Sequence, residues 1–492
     1  MRIGIDVGRA TTTAALADAT GRVVAEAVVD SAPRTAVCLR RVLAALGPLP
    51  GPVGAVAVVT DLARRPPRPR PVAVLRIAPS CHPALAPLAD WPEAARAAVG
   101  AMTAVVGGGS AVTGRPLAPL DRAAVSAFAA RARDAGLSVF AVCAAGAPAR
   151  PEPELEAAAV LAAAVPGATL SLSYEIGSAG LRERENATVV NAALGGWAEE
   201  LVADCRTALR SAGVSAPLFF ARDDGGLVSA EYFRRHPVIA TAPAAACGAR
   251  GALARAGFTP AGSTPAGLTP PGLTPAGHAS AGLTPSRLGP AGLTPSRLAP
   301  AGPAPVGLGH AVVIDAGARS VRCLVVRDGE PERTRVPVPG PLGVRLALGA
   351  PDIVEIVGES PAGSVAAQAA RLRERLPGSA TLYTGGAAES VGAPPADAAT
   401  RAARLTDAAR YAARAECRVE LEQVVSAAGR AELDQLLAAA RDHALSRCVA
   451  AGAAPDSVRV EGLAHAPVAY LPAGVHRVTV RAAGEPVAGA VR

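Results

Sequence analysis

The sequence predicts a two-lobed α/β protein built to cradle phosphate. Three observations carry this. The chain opens with a strand that ends in an Asp-x-Gly turn, Ile3-Gly4-Ile5-Asp6-Val7-Gly8, and it opens again the same way at Val313-Ile314-Asp315-Ala316-Gly317. Between these openings, short Val-rich segments alternate with helical ones, the pattern of β–α–β units. Half of the 492 residues are hydrophobic but only 3% are aromatic, so the core is left to Ala, Val and Leu.

The elements follow in order. After the first opening, a turn at Thr20-Gly21 leads into the strand Arg22–Val29. Val53–Val59 and Val72–Ile77 read as short strands flanked by Pro and Gly. Leu120–Ala135 reads as a helix, with Asp121 near its start and Gly136 at its stop, and the strand Leu137–Cys143 follows. Glu152–Ala164 is a helix closed by Pro166-Gly167, and Thr169–Ser173 a strand. One long helix is expected over Ala187–Ala212. A strand at Leu218–Ala221 runs into Asp223-Asp224-Gly225-Gly226, which suits a type I′ turn, and a helix over Ala244–Ala256 is ended by Gly257. Residues 259–308 repeat a Pro/Gly-rich pentapeptide (TPAGL, TPSRL and variants) and are expected to be a disordered surface loop. The second opening aligns with the first, VVIDAGARSVRCLVVRDG beside IGIDVGRATTTAALADATG, as an internal duplication would. Helices are expected over 401–417 and 430–450, then strands over 458–460 and 476–481.

Composition narrows the function classes. The net charge of +8 is carried by arginine alone, and the one dense run, Arg64–Arg70, has no interleaved aromatics for bases to stack on, so no nucleic-acid partner is expected. Eight widely spaced cysteines without a CxxC pair behave as small core residues of a reducing compartment. The seven histidines lack metal-ligand spacing. No signal-peptide core precedes the first strand and no apolar run approaches the ~18 residues of a membrane span, so the expectation is a cytoplasmic protein with no membrane partner.

The chemistry is expected at the two turns. An aspartate ending a buried strand can hold a hydrated Mg²⁺ through a hard oxygen, and the glycine after it lets backbone N–H groups approach phosphate. Asp6, Gly8, Thr11 and Thr12 form the first set, with Asp6 the candidate metal ligand. Asp315, Gly317 and Ser320 form the second. Gly385-Gly386, after the strand Thr381–Thr384, is placed where backbone can approach a nucleotide, or where an ordinary turn would suffice. Glu175, Arg184, Glu185, Asn186 and Asn191 either line an inter-lobe cleft or serve as caps and ion pairs of a helix. Gly107-Gly108-Gly109-Ser110 reads as a turn, without the strand-to-helix context of a phosphate loop.

Several blocks resemble the hydantoinase/5-oxoprolinase family, in particular its A-type subunit. They are both openings, the stretch Ser171–Leu194 with its ERENATVVNAAL core, Phe219–Ser229, Pro243–Gly251 and Leu405–Ala408. The resemblance implies two actin-like (ribonuclease H-like) lobes around a central cleft that holds ATP and Mg²⁺. It divides the chain into an N-terminal lobe over 1–168 and a second lobe over 169–258 and 309–492, with 259–308 as an insert. It also implies a small cyclic-amide substrate, opened at the expense of ATP, and a B-type hydantoinase subunit as partner. The family pattern at each opening is Asp-x-Gly-Gly-Thr-x-Thr-Asp. Here Arg9, Ala10 and Thr13 replace its second glycine, its first threonine and its closing aspartate, and Arg322 replaces the closing aspartate of the second copy. The alternative these changes support is a non-catalytic relative that serves as a partner or regulatory subunit.

Overall fold

The computed structural model describes all residues except 63–67, 100–101, 178–179, 258–309, 319, 335–337, 347, 350, 358–360, 472 and 490–492. The Pro/Gly insert therefore lies outside the described residues. The chain begins with β1 (Arg2–Val7), β2 (Thr11–Ala17), β3 (Val23–Asp30), α1 (Thr35–Leu46) and β4 (Ala55–Val59). An excursion follows through β5 (Ala73–Ile77), α2 (Glu93–Val99), β6 (Met102–Val106), α3 (Arg122–Asp134), β7 (Val139–Ala144), α4 (Glu152–Ala164) and β8 (Thr169–Leu172). Next come α5 (Leu181–Ala193), α6 (Gly195–Ser211), β9 (Leu218–Ala221), β10 (Leu227–Ser229), α7 (Ala230–Arg235) and α8 (Ala244–Arg255).

The second opening supplies β11 (His310–Ala316), β12 (Ser320–Arg327), β13 (Glu330–Pro331), β14 (Val338–Pro339), β15 (Arg345–Leu346), β16 (Ile353–Val357), α9 (Pro361–Glu374) and β17 (Ala380–Thr384). The chain closes with α10 (Ala398–Ala412), β18 (Cys417–Ser426), α11 (Arg430–Ala450), β19 (Arg459–Pro467) and β20 (Val475–Gly484).

These strands build a nine-stranded sheet ordered β19-β20-β18-β10-β9-β4-β1-β2-β3, a sheet ordered β13-β12-β11-β17 with β16 also on β12, and a parallel four-stranded sheet ordered β6-β5-β7-β8. The large sheet gathers strands from both ends of the chain, so sheet membership cuts across the partition expected at residue 168. The duplication is visible in register. In the first copy β1 pairs antiparallel with β2 and parallel with β4, and in the second β11 pairs antiparallel with β12 and parallel with β17.

Alternation along β11 explains its two-sided burial. Ala311 and Val313 pack with Ala245, Ala249 and Ala252 of α8, while Val312 and Ile314 pack with Val365, Ala369 and Leu372 of α9. On β1, Ile3 and Ile5 join the core with Leu39 and Val42 of α1 and Val202 of α6. Gly4 faces the other way: a Cβ there would stand 2.1 Å from the Ala409 carbonyl of α10. Helices α8 and α10 thus lie between the two sheets and touch each other, since a Cβ on Gly251 would stand 2.1 Å from the Asp407 carbonyl.

Several local expectations are corrected. Helix 187–212 is two helices, broken at Leu194. The segment expected to be helical through 417 stops at Ala412, and Cys417–Ser426 is a ten-residue strand in the large sheet. The turn after β9 has only Gly225 at positive φ (84°), with Gly225 N–H donating to Arg222 O, so it is a type I turn with a glycine bulge and not type I′. Gly107–Ser110 directly follows β6 and leads on to α3. All eight cysteines are free, seven of them buried and Cys81 exposed. Among the described residues no helix is long and apolar enough to cross a membrane.

Candidate functional site

Side chains two apart on a strand share a face. Asp6 therefore points to the side of Gly4, where α10 lies, and Asp315 to the side of Ala311 and Val313, where α8 lies. Both aspartates face the one helical layer between the two sheets. Their registers match: Asp6 sits opposite Thr13 and Val59, and Asp315 opposite Arg322 and Thr384. The Asp6 carboxylate also comes near the buried Cys247 of α8, whose thiol is pushed well up, first by burial and then by that charge.

Arg322 crosses this layer. Its guanidinium lies 2.7 Å from Asp61, 3.5 Å from Glu355 and 4.0 Å from Asp315. Asp61 follows β4, so the ion pair ties the first copy of the motif to the second. The other oxygen of Asp61 accepts from Ala244 N–H at 3.0 Å, at the start of α8. Burial pushes Asp315 up to about 6 against the pull of Arg322. Nearby, burial pushes Asp223 up to about 7, although its carboxylate accepts from Ala242 N–H at 2.7 Å and from the Thr241 hydroxyl at 3.1 Å. The layer thus holds two carboxyl groups that titrate near neutrality beside one fixed cation. That combination suits proton transfer and the binding of an anion.

The turns leave no room for side chains: a Cβ on Gly8 would stand 2.8 Å from Thr11 O, and one on Gly317 3.2 Å from Ser320 O. A divalent cation does not fit. Arg322 already supplies the positive charge between Asp61, Asp315 and Glu355, and no group of three or more His, Cys, Asp or Glu among the described residues is arranged around a metal.

The remaining predicted residues divide. Thr12 is buried and its hydroxyl is bonded to Ser31 Oγ at 2.8 Å, which in turn donates to Gly8 O, so Thr12 braces the turn from behind. Thr11 and Ser320 are half-buried at the strand starts beside the turns. Gly385, at φ 85°, lets its backbone press on Ala316, where a Cβ would stand 2.4 Å from the carbonyl, and Gly386 abuts Leu405. The pair packs the second turn against α10.

The five residues of the ERENATVVNAAL region belong to the framework around α5. Arg184 donates to Ser173 Oγ and Ala144 O, Glu185 accepts two bonds of 2.6 Å from Arg76, and Asn186 accepts from Trp91 Nε1. Asn191 donates to Ser171 Oγ and Arg235 O. Glu175 is partly exposed, 3.4 Å from Arg235. Sequence reasoning passed over Asp61, whose only signal is its place just after the strand paired with β1.

Residues 184–262, which span α5 to α8, match the family model described as Hydantoinase/oxoprolinase. No curated protein sequence matches the chain. Among solved structures, the ATP-dependent caprolactamase from Pseudomonas jessenii aligns with a TM-score of 0.64 at 14% identity, over 98% of this chain and 87% of that one. Nucleotide-free acetone carboxylase aligns at 0.62 and 11% identity, over 98% and 88%. The likenesses establish the expected two-lobed actin-like fold. The family match falls on the segment that carries the framework arginine and asparagines, so over residues 184–262 the chain is similar to the hydantoinase/oxoprolinase family.

Proposed function

We propose that this protein is an ATP-linked hydrolase of small cyclic amides, of the hydantoin or 5-oxoproline type, working alone or as the A-type subunit beside a B-type chain in the cytoplasm. One observation carries the reading: Asp6, Asp315 and Arg322 converge from the two copies of the motif on one layer between the sheets. A lactam carbonyl resists water, and ATP supplies the phosphoryl group that makes its oxygen a leaving group. The residues of the layer position and neutralise. Arg322 offsets the negative charge that develops on transferring oxygens. Asp315, titrating near 6, holds or releases a proton at its carboxylate around neutral pH. Asp6 stands opposite as the first-copy acid. Magnesium on Asp6 is assigned no step.

A second reading, a non-catalytic partner subunit, is favoured by the same ion pair, since Asp61 already engages the Arg322 guanidinium. Calorimetric titration with ATP, with and without Mg²⁺, separates the two, followed by phosphate release with 5-oxoproline, hydantoin and ε-caprolactam. The enzyme reading expects binding, and release that depends on the ring compound and is lost in Asp6→Asn. No binding at millimolar ATP overturns it. Binding without release, even with a B-type chain added, leaves the partner reading standing.

A further inference from the structure

Strands β19 and β20 bring together two histidines that the linear spacing keeps apart. In their antiparallel pairing His465 lies opposite Val478, and His476 opposite Pro467. Opposed residues share a face, as do residues two apart on a strand, so His465 and His476 are diagonal neighbours on one face. Arg477, opposite Ala466, alternates to the other face. Val478, between the two rings along β20, is fully buried in the core that includes Leu433 of α11. His465 is exposed and His476 half-buried. The pair therefore stands at the open margin of the face that α11 covers, on the outermost strand of the large sheet and its neighbour.

The rings present the same nitrogen to each other. Their Nδ1 atoms are 3.5 Å apart, with ring centroids at 5.4 Å and planes tilted by 55°. A good N–H hydrogen bond spans about 2.7–3.2 Å, so a proton is a poor bridge here. A metal ion is a better one. Two nitrogens each about 2.0–2.1 Å from a tetrahedral ion stand about 3.3 Å apart, close to the separation present. With the protons on Nε2, two lone pairs face one another, and a cation between them turns repulsion into two bonds. The backbone beneath is fixed. Strand β20 pairs with β18 over ten residues, and Val468 N–H donates to Val475 O at 3.0 Å where the β19–β20 hairpin closes. Gly474, at φ 93°, presses on the end of β18, where a Cβ would stand 2.2 Å from Ala427 O. Binding thus asks for small ring rotations and no movement of the strands.

We propose that His465 and His476 chelate a transition-metal ion of the class that favours imidazole, Zn²⁺, Ni²⁺ or Cu²⁺, with water in its remaining positions. Mg²⁺ and Ca²⁺ favour oxygen ligands and do not suit this pair. The site is independent of the function proposed above. Untagged full-length protein, stripped with a chelator, is titrated with ZnCl₂ by calorimetry beside His465→Ala, His476→Ala and Cys81→Ser. The expected result is one ion bound per chain at micromolar Zn²⁺. Losing a group that merely supports a ligand costs metal affinity about 10- to 100-fold, so each histidine variant should lose at least about tenfold. Cys81→Ser, which removes the exposed thiol, should bind like wild type. Electron paramagnetic resonance of the Cu²⁺-loaded protein should show coupling to two imidazole nitrogens in wild type and to one in either histidine variant. Circular dichroism checks that all variants keep the wild-type fold. No uptake at millimolar Zn²⁺ overturns the clamp, as does affinity unchanged in both histidine variants. Loss in Cys81→Ser alone would move the ion to the thiol and overturn it equally.

Discussion

Removing Arg322 leaves Asp61, Glu355 and Asp315 facing one another without the cation that holds them at 2.7, 3.5 and 4.0 Å. Hydrogen bonds to charged groups contribute about 1.5–3 kcal/mol. Arg322→Ala is therefore expected to weaken ATP binding by roughly 10- to 100-fold, read by calorimetry, and Arg322→Lys to recover part of it. Unchanged affinity in the alanine variant would show that phosphate does not meet this guanidinium.

A second residue-level expectation concerns pH. Asp223 is raised to about 7 from a model-peptide value of 3.8, so the folded protein holds a proton that the unfolded chain has lost. Its stabilising contribution is full below about pH 4 and disappears as pH rises through about 7, a change on the order of 4 kcal/mol. Melting temperatures from pH 5 to 8 should fall with pH in wild type and fall less in Asp223→Asn. Equal slopes would remove Asp223 as the cause.

Helix α8 meets α10 through Gly251, and α10 meets β1 through Gly4, both by backbone contacts too close for a side chain. Gly251→Ala must push α8 off Asp407, whose carboxylate also pairs with Arg255 of α8 at 2.9 Å. Overpacking of this kind costs about 1–3 kcal/mol, and chemical denaturation should show a loss of that size or larger. At this scale the sequence was informative where caps and stops are local. Asp121 does cap α3, accepting from Ala124 N–H, and Asp328-Gly329, both at positive φ, form the expected turn after β12. Strand β18 was illegible because its alternation, Arg418, Glu420 and Glu422 against Val419 and Leu421, sits inside a charged Ala/Arg-rich run that also suits a helix. Its register with β20 is set by partners far along the chain. The partners of the α5 side chains were illegible for a related reason: their spacing reveals a polar helix, but not that Arg76, Trp91 and Ser171 wait to satisfy it.

For the whole molecule, the duplication was readable because two hairpins of one sequence must pair alike. The grouping of strands into sheets was not, since β9, β10 and β18 join β4 only by tertiary pairing. The same long-range assembly makes Asp61 the counterion of Arg322, and this gives the last prediction. Asp61 bridges the two halves through Arg322, and on the proposed function it competes with phosphate for that guanidinium. Asp61→Asn keeps an oxygen for the Ala244 N–H but gives up the charge. Without nucleotide, the variant should melt below wild type, because the bridge between the sheets is weakened. With ATP the order should change: freed from Asp61, Arg322 should bind phosphate several-fold tighter. Ligand at about 100 times its Kd adds about 2.7 kcal/mol to stability, so the ATP-induced rise in Tm at a fixed subsaturating concentration should be larger in the variant. A smaller rise would mean that Asp61 helps to hold the nucleotide and does not compete with it.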